Sequence, residues 1–321
     1  MKTEKSELIN KPIKQLNLYG YEYYFNLFDK LNQNNRLPNS ILLSGNKGLG
    51  KATFAYHYIN FLLSKGEENK YIRENLSINS NNSSYKLTLN GTHANFFILD
   101  ANDEENIKIE QIRKLLLFLN KTTYYKSLKI VLIDNSEKLN ISSSNALLKA
   151  IEEPSKNTHF FIINNDSRKL LNTIKSRCIN FNINFSFLEK KNIFNKIVKN
   201  KEFTFTELDL NNFLHFDSHG NLIKYLEILK NSNLSISENC LSCISYFMKI
   251  YNDKNDKKIL TFLSVFIQNY YNRLALKNDS LINNYYINLK KILYLINNMK
   301  KFHIDKKNLI FSIDKIIKNE R

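Results

Sequence analysis

The segment 40–55, which reads SILLSGNKGLGKATFA, constrains the fold of this chain more than any other segment. Its short apolar run predicts a buried strand, Gly45, Gly48 and Gly50 predict a tight loop, and Lys51 begins a stretch with apolar residues at helical spacing. The spacing fits G-x-x-x-x-G-K, although an ordinary glycine-rich turn is an alternative. Strand, loop and helix in this order predict a phosphate cradle, because the loop amides, the helix N-terminus and the lysine all point at an anion.

One position of this loop departs from the pattern. The residue after the lysine is Ala52, where a Ser or Thr would hold magnesium through its hydroxyl. Thr53 stands one place late, and because a helix turns about 100° per residue it cannot simply replace that hydroxyl. The sequence therefore predicts the architecture of a phosphate loop together with a damaged magnesium site.

Apolar runs of strand length recur through the first half of the chain, between segments of helical spacing. The predicted strands cover residues 41–43, 96–99, 130–133, 160–163 and 179–185, the last with Asn at alternate positions. This alternation over residues 38–185 predicts a parallel, doubly wound α/β sheet with the glycine loop at the end of its first strand. Residues 65–95 are polar, rich in Asn and Ser and without a regular period, which predicts a surface excursion.

Helical spacing alone continues beyond Ser186, with a turn expected at His219-Gly220. The pattern predicts an α/β domain over residues 1–185, a small helical domain over 186–232 and a helical bundle over 233–321.

Composition restricts the classes of protein without selecting one. The net charge is +17, but only seven of the 47 basic residues are Arg and the chain is crowded with Asn and Ile, so compositional bias explains the charge before nucleic-acid binding does. Apolar runs do not approach the about 20 residues of a membrane span. The N-terminus lacks the apolar core of a signal peptide, and three cysteines give no disulfide framework. We therefore expect a cytoplasmic protein without a membrane segment.

Asp134 follows the apolar run 130–133 and fits the second signature of phosphate-loop proteins, a strand-end acid in the magnesium shell. A solvated strand-end carboxylate is the alternative. Catalytic versions place Glu next, to polarise the attacking water, whereas this chain has Asn135. An amide can hydrogen-bond a water but cannot act as a general base. Asn135, like Ala52, therefore lacks the group that ATP hydrolysis needs at its position.

Three further features leave two interpretations each. Arg177 follows Ser176 in a loop. It either stabilises phosphate charge in the transition state at a neighbouring subunit's site or is an ordinary surface residue. Glu152 and Glu153 end a helix predicted over 145–153, where the dipole disfavours negative charge, so they mark an interface or are simply solvated. The pair Cys240 and Cys243 lacks the further ligands that zinc needs, which favours buried helix cysteines.

Longer stretches of the chain resemble a known family. NALLKAIEEP at 145–154, LLNTIKSRC at 170–178 and the glycine loop resemble the clamp-loader branch of the AAA+ ATPases. IKIEQIRKL at 107–115 and the damaged nucleotide site are similar to its delta-prime family, which serves bacterial DNA polymerase III. The resemblance covers residues 20–230 and extends to the C-terminal bundle by helical character alone. It implies a P-loop AAA+ domain, a helical lid and a C-terminal helical collar at the three domains predicted above.

The resemblance also implies partners and roles. A hetero-pentamer with delta and gamma/tau subunits would open the sliding clamp and load it on primer-template DNA. Arg177 would complete the ATP site of an adjacent gamma/tau subunit, Asn164 would stand at the sensor-1 position, and Asn221 would replace a sensor-2 arginine. Many relatives hold zinc through four cysteines between the loop and Asp134, but residues 52–133 contain none, so no zinc is expected. No cofactor is required, and ATP with magnesium at the degenerate site stays an open question.

Two functions from different classes remain. In the first, the chain is an assembly subunit, a rigid stator, with vestigial nucleotide-binding positions, namely Gly45, Gly48, Gly50, Lys51, Thr53, Asp134 and Asn164. In the second, it is an active gamma/tau-like ATPase motor in which Thr53 and another carboxylate replace the lost groups. Ala52, Asn135 and Asn221 favour the first. A third hypothesis, DNA binding driven by charge, predicts binding that falls steeply with salt and needs no partner.

Overall fold

The computed structural model of this chain describes residues 11–101, 106–121, 128–165, 170–199, 207–230, 240–254, 257–301 and 305–318. The chain divides into two compact units, Met1–Ile197 and Val198–Arg321. The predicted boundaries at 185/186 and 232/233 stay predictions.

The first unit is built on a five-stranded, fully parallel sheet. Its strands are β1 (Ser40–Ser44), β2 (Phe96–Leu99), β3 (Lys129–Ile133), β4 (Thr158–Asn164) and β5 (Ile179–Asn182). They lie in the order β2-β3-β4-β1-β5, so β1 pairs with both β4 and β5. The central strands β1 and β3 are buried at every residue, which is why they read as continuous apolar runs in the sequence. The predicted doubly wound sheet is confirmed, with β5 at an edge.

In the part of this unit that the structure describes, seven α-helices cover the two faces of the sheet. They are α1 (Glu22–Gln33), α2 (Lys51–Leu63), α3 (Ser83–Leu89), α4 (Ile109–Asn120), α5 (Ile141–Glu152), α6 (Asn172–Lys175) and α7 (Phe187–Val198). Alternate strand residues face opposite sides. Ile41 and Leu43 of β1 belong to a cluster with α1, α2 and α7, whereas Leu42 packs in a second cluster with α4, α5 and α6. The unit therefore has one apolar core on each face.

Two local expectations were wrong. The helix predicted to begin at residue 145 begins at Ile141, because Asn140 caps it by accepting a hydrogen bond from the Ser143 backbone N–H at 2.7 Å. The stretch 65–95 contains α3 and buries Tyr71, Ile78 and Tyr85 in the core. Its few apolar anchors are irregularly spaced, so a search for periodicity does not detect them.

The second unit consists of helices in the part of it that the structure describes. They are α8 (Glu207–Phe216), α9 (His219–Lys230), α10 (Cys240–Lys254), α11 (Lys257–Lys277), α12 (Ile282–Lys301) and α13 (Lys306–Lys318). Phe266 of α11 lies at the centre of its aromatic core, with ring centroids 4.8 Å from those of Phe213 and Phe247. Cys240 and Cys243 are buried in α10, as predicted. Among the helices described in either unit, none is both long enough and apolar enough to cross a membrane.

Candidate nucleotide site and the exposed arginine

The glycine loop connects the buried strand β1 to the N-terminus of α2, as predicted. Gly45, Gly48 and Gly50 all have positive φ, at 145°, 85° and 90°. At Gly45 a side chain is also excluded by contact, since a Cβ there would lie 2.3 Å from the backbone oxygen of Ile183. The shape of the loop therefore depends on glycine at this position.

Lys51 is the first residue of α2 and is buried, with 3% of its surface exposed. Its Nζ donates hydrogen bonds to the backbone oxygens of Gly45 at 2.8 Å and Asn46 at 2.7 Å. Burial lowers the pKa of Lys51 to about 8, and attraction to Glu137 and Asp134 limits the decrease. Lys51 thus places a positive charge inside the loop and ties the two ends of the loop together.

Tyr21, which the sequence analysis did not single out, supports the loop from the other side. Its Oη donates to the backbone oxygen of Leu49 at 3.1 Å, and its ring stacks on that of Phe54 with the centroids 4.8 Å apart. The whole side chain is buried. Because Tyr21 precedes α1 and lies 28 residues before Leu49, only the packing of α1 on α2 brings the two together.

The register of the sheet brings Asp134 and Asn164 to the edge where the loop begins. Ser44 of β1 is paired with Asn164, and Ile133 of β3 is paired with Ile162, so β4 and its buried Asn164 lie between the loop and Asp134. Burial, followed by repulsion from Asp100, raises the pKa of the partly buried Asp134 carboxyl to about 6. The site thus contains the Lys51 ammonium beyond the carboxyl end of β1 and the Asp134 carboxylate at that of β3, with β4 between the two strands.

Asn135 belongs to a network of hydrogen bonds at this edge. It has the left-handed conformation with φ of 54°, which Asn tolerates better than most residues. Its Nδ2 donates to Asp100 Oδ1 at 3.0 Å, and its Oδ1 accepts from Asn165 Nδ2 at 3.2 Å. Asn165 also donates from Nδ2 to Glu137 Oε1 and from its backbone N–H to Glu137 Oε2, both at 3.1 Å. The Asn135 amide thus joins the ends of three strands, β2, β3 and β4.

The first turn of α2 offers no hydroxyl at the expected place. Ala52 packs against the apolar core, and Thr53 follows it, partly exposed, about 100° further around the helix. The loop, its glycines and Lys51 fit a phosphate anion. The groups at Ala52 and Asn135 do not fit the magnesium and water activation of a hydrolytic site.

Arg177 lies at the opposite end of the sheet. It follows α6 and lies two residues before the first residue of β5, Ile179, which pairs with Ile41 near the start of β1. Its Nε donates to Glu152 Oε2 and its Nη1 to the backbone oxygen of Thr173, each at 3.0 Å. The guanidinium is thus held at the surface, where 31% of the side chain is exposed. The structure does not bring Arg177 together with the loop of its own chain.

Asn221 lies in the second unit, and the structure around it shows that the turn expected at His219-Gly220 is part of a helix. The turn predicted at His219-Gly220 is the first turn of α9, because Ser218 precedes the helix and its Oγ accepts from the Asn221 backbone N–H at 3.3 Å. The Nδ2 of Asn221 donates to Asp217 Oδ1 at 2.8 Å. Its side chain therefore serves the start of α9.

The parallel sheet, the glycine loop and the helical second unit define a P-loop protein of the AAA+ class. Comparison with known proteins is more specific, because the family model described as "DNA polymerase III, delta subunit" matches residues 21–186, just over half of the chain. The chain belongs to this family of DNA polymerase III subunits. The predicted resemblance to delta-prime subunits of the clamp loader is confirmed.

The relatives carry names from the same complex. DNA polymerase III subunit delta' of Pseudomonas aeruginosa is 31% identical over 160 residues, which cover 50% of this chain and 47% of that protein. The chain thus spans about half the length of this relative. DNA polymerase III subunit gamma of Buchnera aphidicola (subspecies Schizaphis graminum) is 27% identical over 290 residues, covering 87% and 69%. A solved structure of a gamma subunit-related protein from Thermotoga maritima has 16% identity and a TM-score of 0.42, covering 89% of this chain and 96% of its own.

Proposed function

We propose that this chain is a stator subunit of a DNA polymerase III clamp loader. It assembles with delta and gamma/tau subunits into a hetero-pentamer and supplies Arg177 to the ATP site of a neighbouring subunit. Through the complex it supports the loading of the sliding clamp on primer-template DNA. The family match and the delta' and gamma names of the relatives support the class of complex.

The observation that carries the proposal is the position of Arg177 relative to its own phosphate loop. Arg177 lies at the amino ends of the strands, whereas the loop follows their carboxyl ends. The strand from Ser40 to Ser44 alone spans about 13 Å at about 3.3 Å per residue. A partly exposed guanidinium on the far side of the sheet from its own loop is suited to a phosphate that another chain binds.

The residues around the loop support the proposal that this chain does not hydrolyse ATP by itself. Ala52 removes the hydroxyl for magnesium, Asn135 removes the general base, and the side chains of Asn135 and Asn221 are both used in hydrogen bonds within the chain. Lys51 is bonded to its own loop. We propose that the chain requires no nucleotide, and no zinc, to fulfil its role.

One observation favours the second candidate, a gamma/tau-like motor. Glu137 lies two residues after Asn135 and, with Asp134, is close enough to Lys51 to raise the lysine pKa against the effect of burial. A carboxylate is therefore present beside the loop. Against the motor, Glu137 accepts two hydrogen bonds from Asn165, which occupy both of its oxygens.

The test uses a clamp loader reconstituted with this chain, in which the burst of phosphate release is measured with clamp and primed DNA. An arginine finger contributes a factor of about 10³–10⁵ at the site it completes. Arg177→Ala is therefore expected to remove one site's share of the burst. Arg36→Ala, which removes another arginine at the surface, is the matched control and leaves the burst intact.

The isolated chain provides the second measurement, and it is expected to hydrolyse no ATP. A full burst from the Arg177→Ala complex would refute the role of Arg177 in trans. Turnover by the isolated chain that Lys51→Ala abolishes would establish the motor instead.

A further inference from the structure

The ion pair between Arg177 and Glu152 assigns a role to a residue that the sequence left undecided. We propose that Glu152 is a positioning residue, which holds the inner edge of the Arg177 guanidinium so that its outer edge meets a phosphate of the neighbouring subunit's nucleotide. This inference rests on the proposed function, because it concerns how Arg177 is presented.

The hydrogen bonds of the guanidinium divide it into a bound edge and an open edge. A guanidinium has five N–H donors. The Nε donor goes to Glu152 Oε2 and one Nη1 donor goes to the Thr173 backbone oxygen, each at 3.0 Å. Within the part of the chain that the structure describes, both Nη2 donors and the second Nη1 donor have no acceptor. Two adjacent nitrogens thus remain for a phosphate, which arginine binds through paired N–H groups.

The apolar core fixes the carboxylate that holds this edge. Ile151, the residue before Glu152, is 2% exposed, and its backbone oxygen accepts a hydrogen bond from Ser40 Oγ at 3.1 Å. Ile174 of α6 is fully buried in the same cluster as Ile151. The last turn of α5 and the turn before Arg177 are therefore anchored to one core, 25 residues apart in the sequence.

Helix electrostatics distinguish Glu152 from the acid beside it. A carboxylate in the last turn of α5 is disfavoured by the helix dipole, whereas a cation is favoured there and at the end of α6. The Glu152 carboxylate is compensated by Arg177 at 3.0 Å. The exposed side chain of Glu153 has no ion pair or hydrogen bond among the described residues. The two glutamates share charge, sequence context and exposure, so Glu153 is the natural control.

Positioning matters because a free arginine loses side-chain freedom when it engages a phosphate. A guanidinium already held along one edge has lost part of that freedom beforehand, which favours the engaged geometry. The contact is partly solvated, with 54% of the Glu152 side chain exposed. Its removal is therefore expected to lower turnover at the neighbouring site by about two- to fivefold, the range that exposed ion pairs support.

The experiment measures the rate and the ATP dependence of phosphate release by the reconstituted clamp loader carrying Glu152→Ala, Glu152→Gln or Glu153→Ala. We expect Glu152→Ala to lower the turnover that depends on Arg177, measured as the part of the rate that Arg177→Ala removes, about two- to fivefold with an unchanged KM for ATP. Glu152→Gln retains an oxygen that accepts from Nε and restores most of the rate, and Glu153→Ala matches the wild type. Thermal unfolding of each variant shows whether the fold is kept, and the rescue by Gln separates positioning from a purely structural loss.

Three outcomes would contradict the inference. An unchanged rate in Glu152→Ala, with Arg177→Ala still impaired, would leave the proposed function standing and remove the role of Glu152. A faster Glu152→Ala complex would show that the carboxylate competes with the phosphate and does not position the arginine. A normal rate in Arg177→Ala would remove the proposed function itself, and this inference with it.

Discussion

Asp134 provides the sharpest test of whether the nucleotide site of this chain is vestigial. Its carboxyl group is partly buried at the end of β3, near Asp100 and Glu137, and burial followed by these repulsions raises its pKa from 3.8 to about 6. The hydrogen bond from the Asn135 backbone N–H at 2.8 Å and the attraction of Lys51 oppose the increase without cancelling it. The ionised form that prevails at neutral pH is therefore less favourable in the folded chain than in the unfolded chain.

The magnitude follows from the two pKa values. A pKa that rises from 3.8 to about 6 on folding corresponds to about 3 kcal/mol of lost stability above pH 6. Because water reaches part of the carboxyl group, we reduce this figure to about 1–2 kcal/mol. Asp134→Asn keeps an oxygen that accepts from the Asn135 N–H and carries no charge. The free energy of unfolding is thus expected to increase by about 1–2 kcal/mol at pH 8.

The assay is urea unfolding of the wild type and the variant at pH values from 4 to 8. The folded wild type holds the Asp134 proton more tightly than the unfolded chain, so its stability relative to Asp134→Asn decreases as the pH rises from about 4 to about 6. Glu153→Gln, which removes an exposed carboxylate, is expected to leave stability unchanged. A less stable Asp134→Asn protein would refute the reasoning, and loss of turnover by the reconstituted complex would favour the motor.

Two further predictions concern the core around the loop. Gly45→Ala is expected to destabilise the chain by about 1–3 kcal/mol, since its Cβ would lie 2.3 Å from the Ile183 backbone oxygen at a positive φ. Gly66→Ala, with no atom within 4 Å of the new Cβ, is the control, and equal effects of the two would contradict the argument. Burial lowers the pKa of His57 from 6.5 to about 4, so the unfolded chain takes up its proton first as the pH falls. The contribution of His57 to the free energy of unfolding in urea is expected to be about 2 kcal/mol smaller at pH 5 than at pH 7, measured as the change in the difference between the wild type and His57→Gln.

The sheet and its carboxyl edge could be predicted because both depend on local patterns. A strand buried on both faces must be apolar throughout, which marks 130–133 and 160–163 in the sequence. Parallel strands end at the same edge, so the positions of Asp134 and Asn164 beside the loop follow once the strands are assigned. The glycine-rich loop and Lys51 could be predicted from the spacing of these residues in the sequence alone.

The supporting contacts could not be predicted, because they join segments whose proximity only the folded packing determines. Tyr21 reaches Leu49 across 28 residues, and Glu152 reaches Arg177 across 25. Neither pair has a periodic or compositional signal. Asn135 was recognised as the wrong group for hydrolysis, but its use as a link between Asp100 and Asn165 depends on the register of three strands.

The persistence of an intact loop beside a damaged magnesium site has a physical explanation that requires no nucleotide. Lys51 donates hydrogen bonds to the loop carbonyls, and Tyr21 donates one to the backbone oxygen of Leu49. Gly45 leaves room for the backbone oxygen of Ile183. The loop is therefore part of the packing around β1 and α2. Substitutions such as Ala52, which packs against the core, leave those contacts in place.

Arg177 is independent of these contacts. It is anchored through Glu152 and Thr173 at the amino ends of the strands, whereas the loop is anchored at their carboxyl ends. A loss of hydrolysis at one end of the sheet would therefore place no structural constraint on the arginine at the other. A subunit of this design can lose its own chemistry and still complete the site of a neighbour, which is the division of labour that the proposed stator requires.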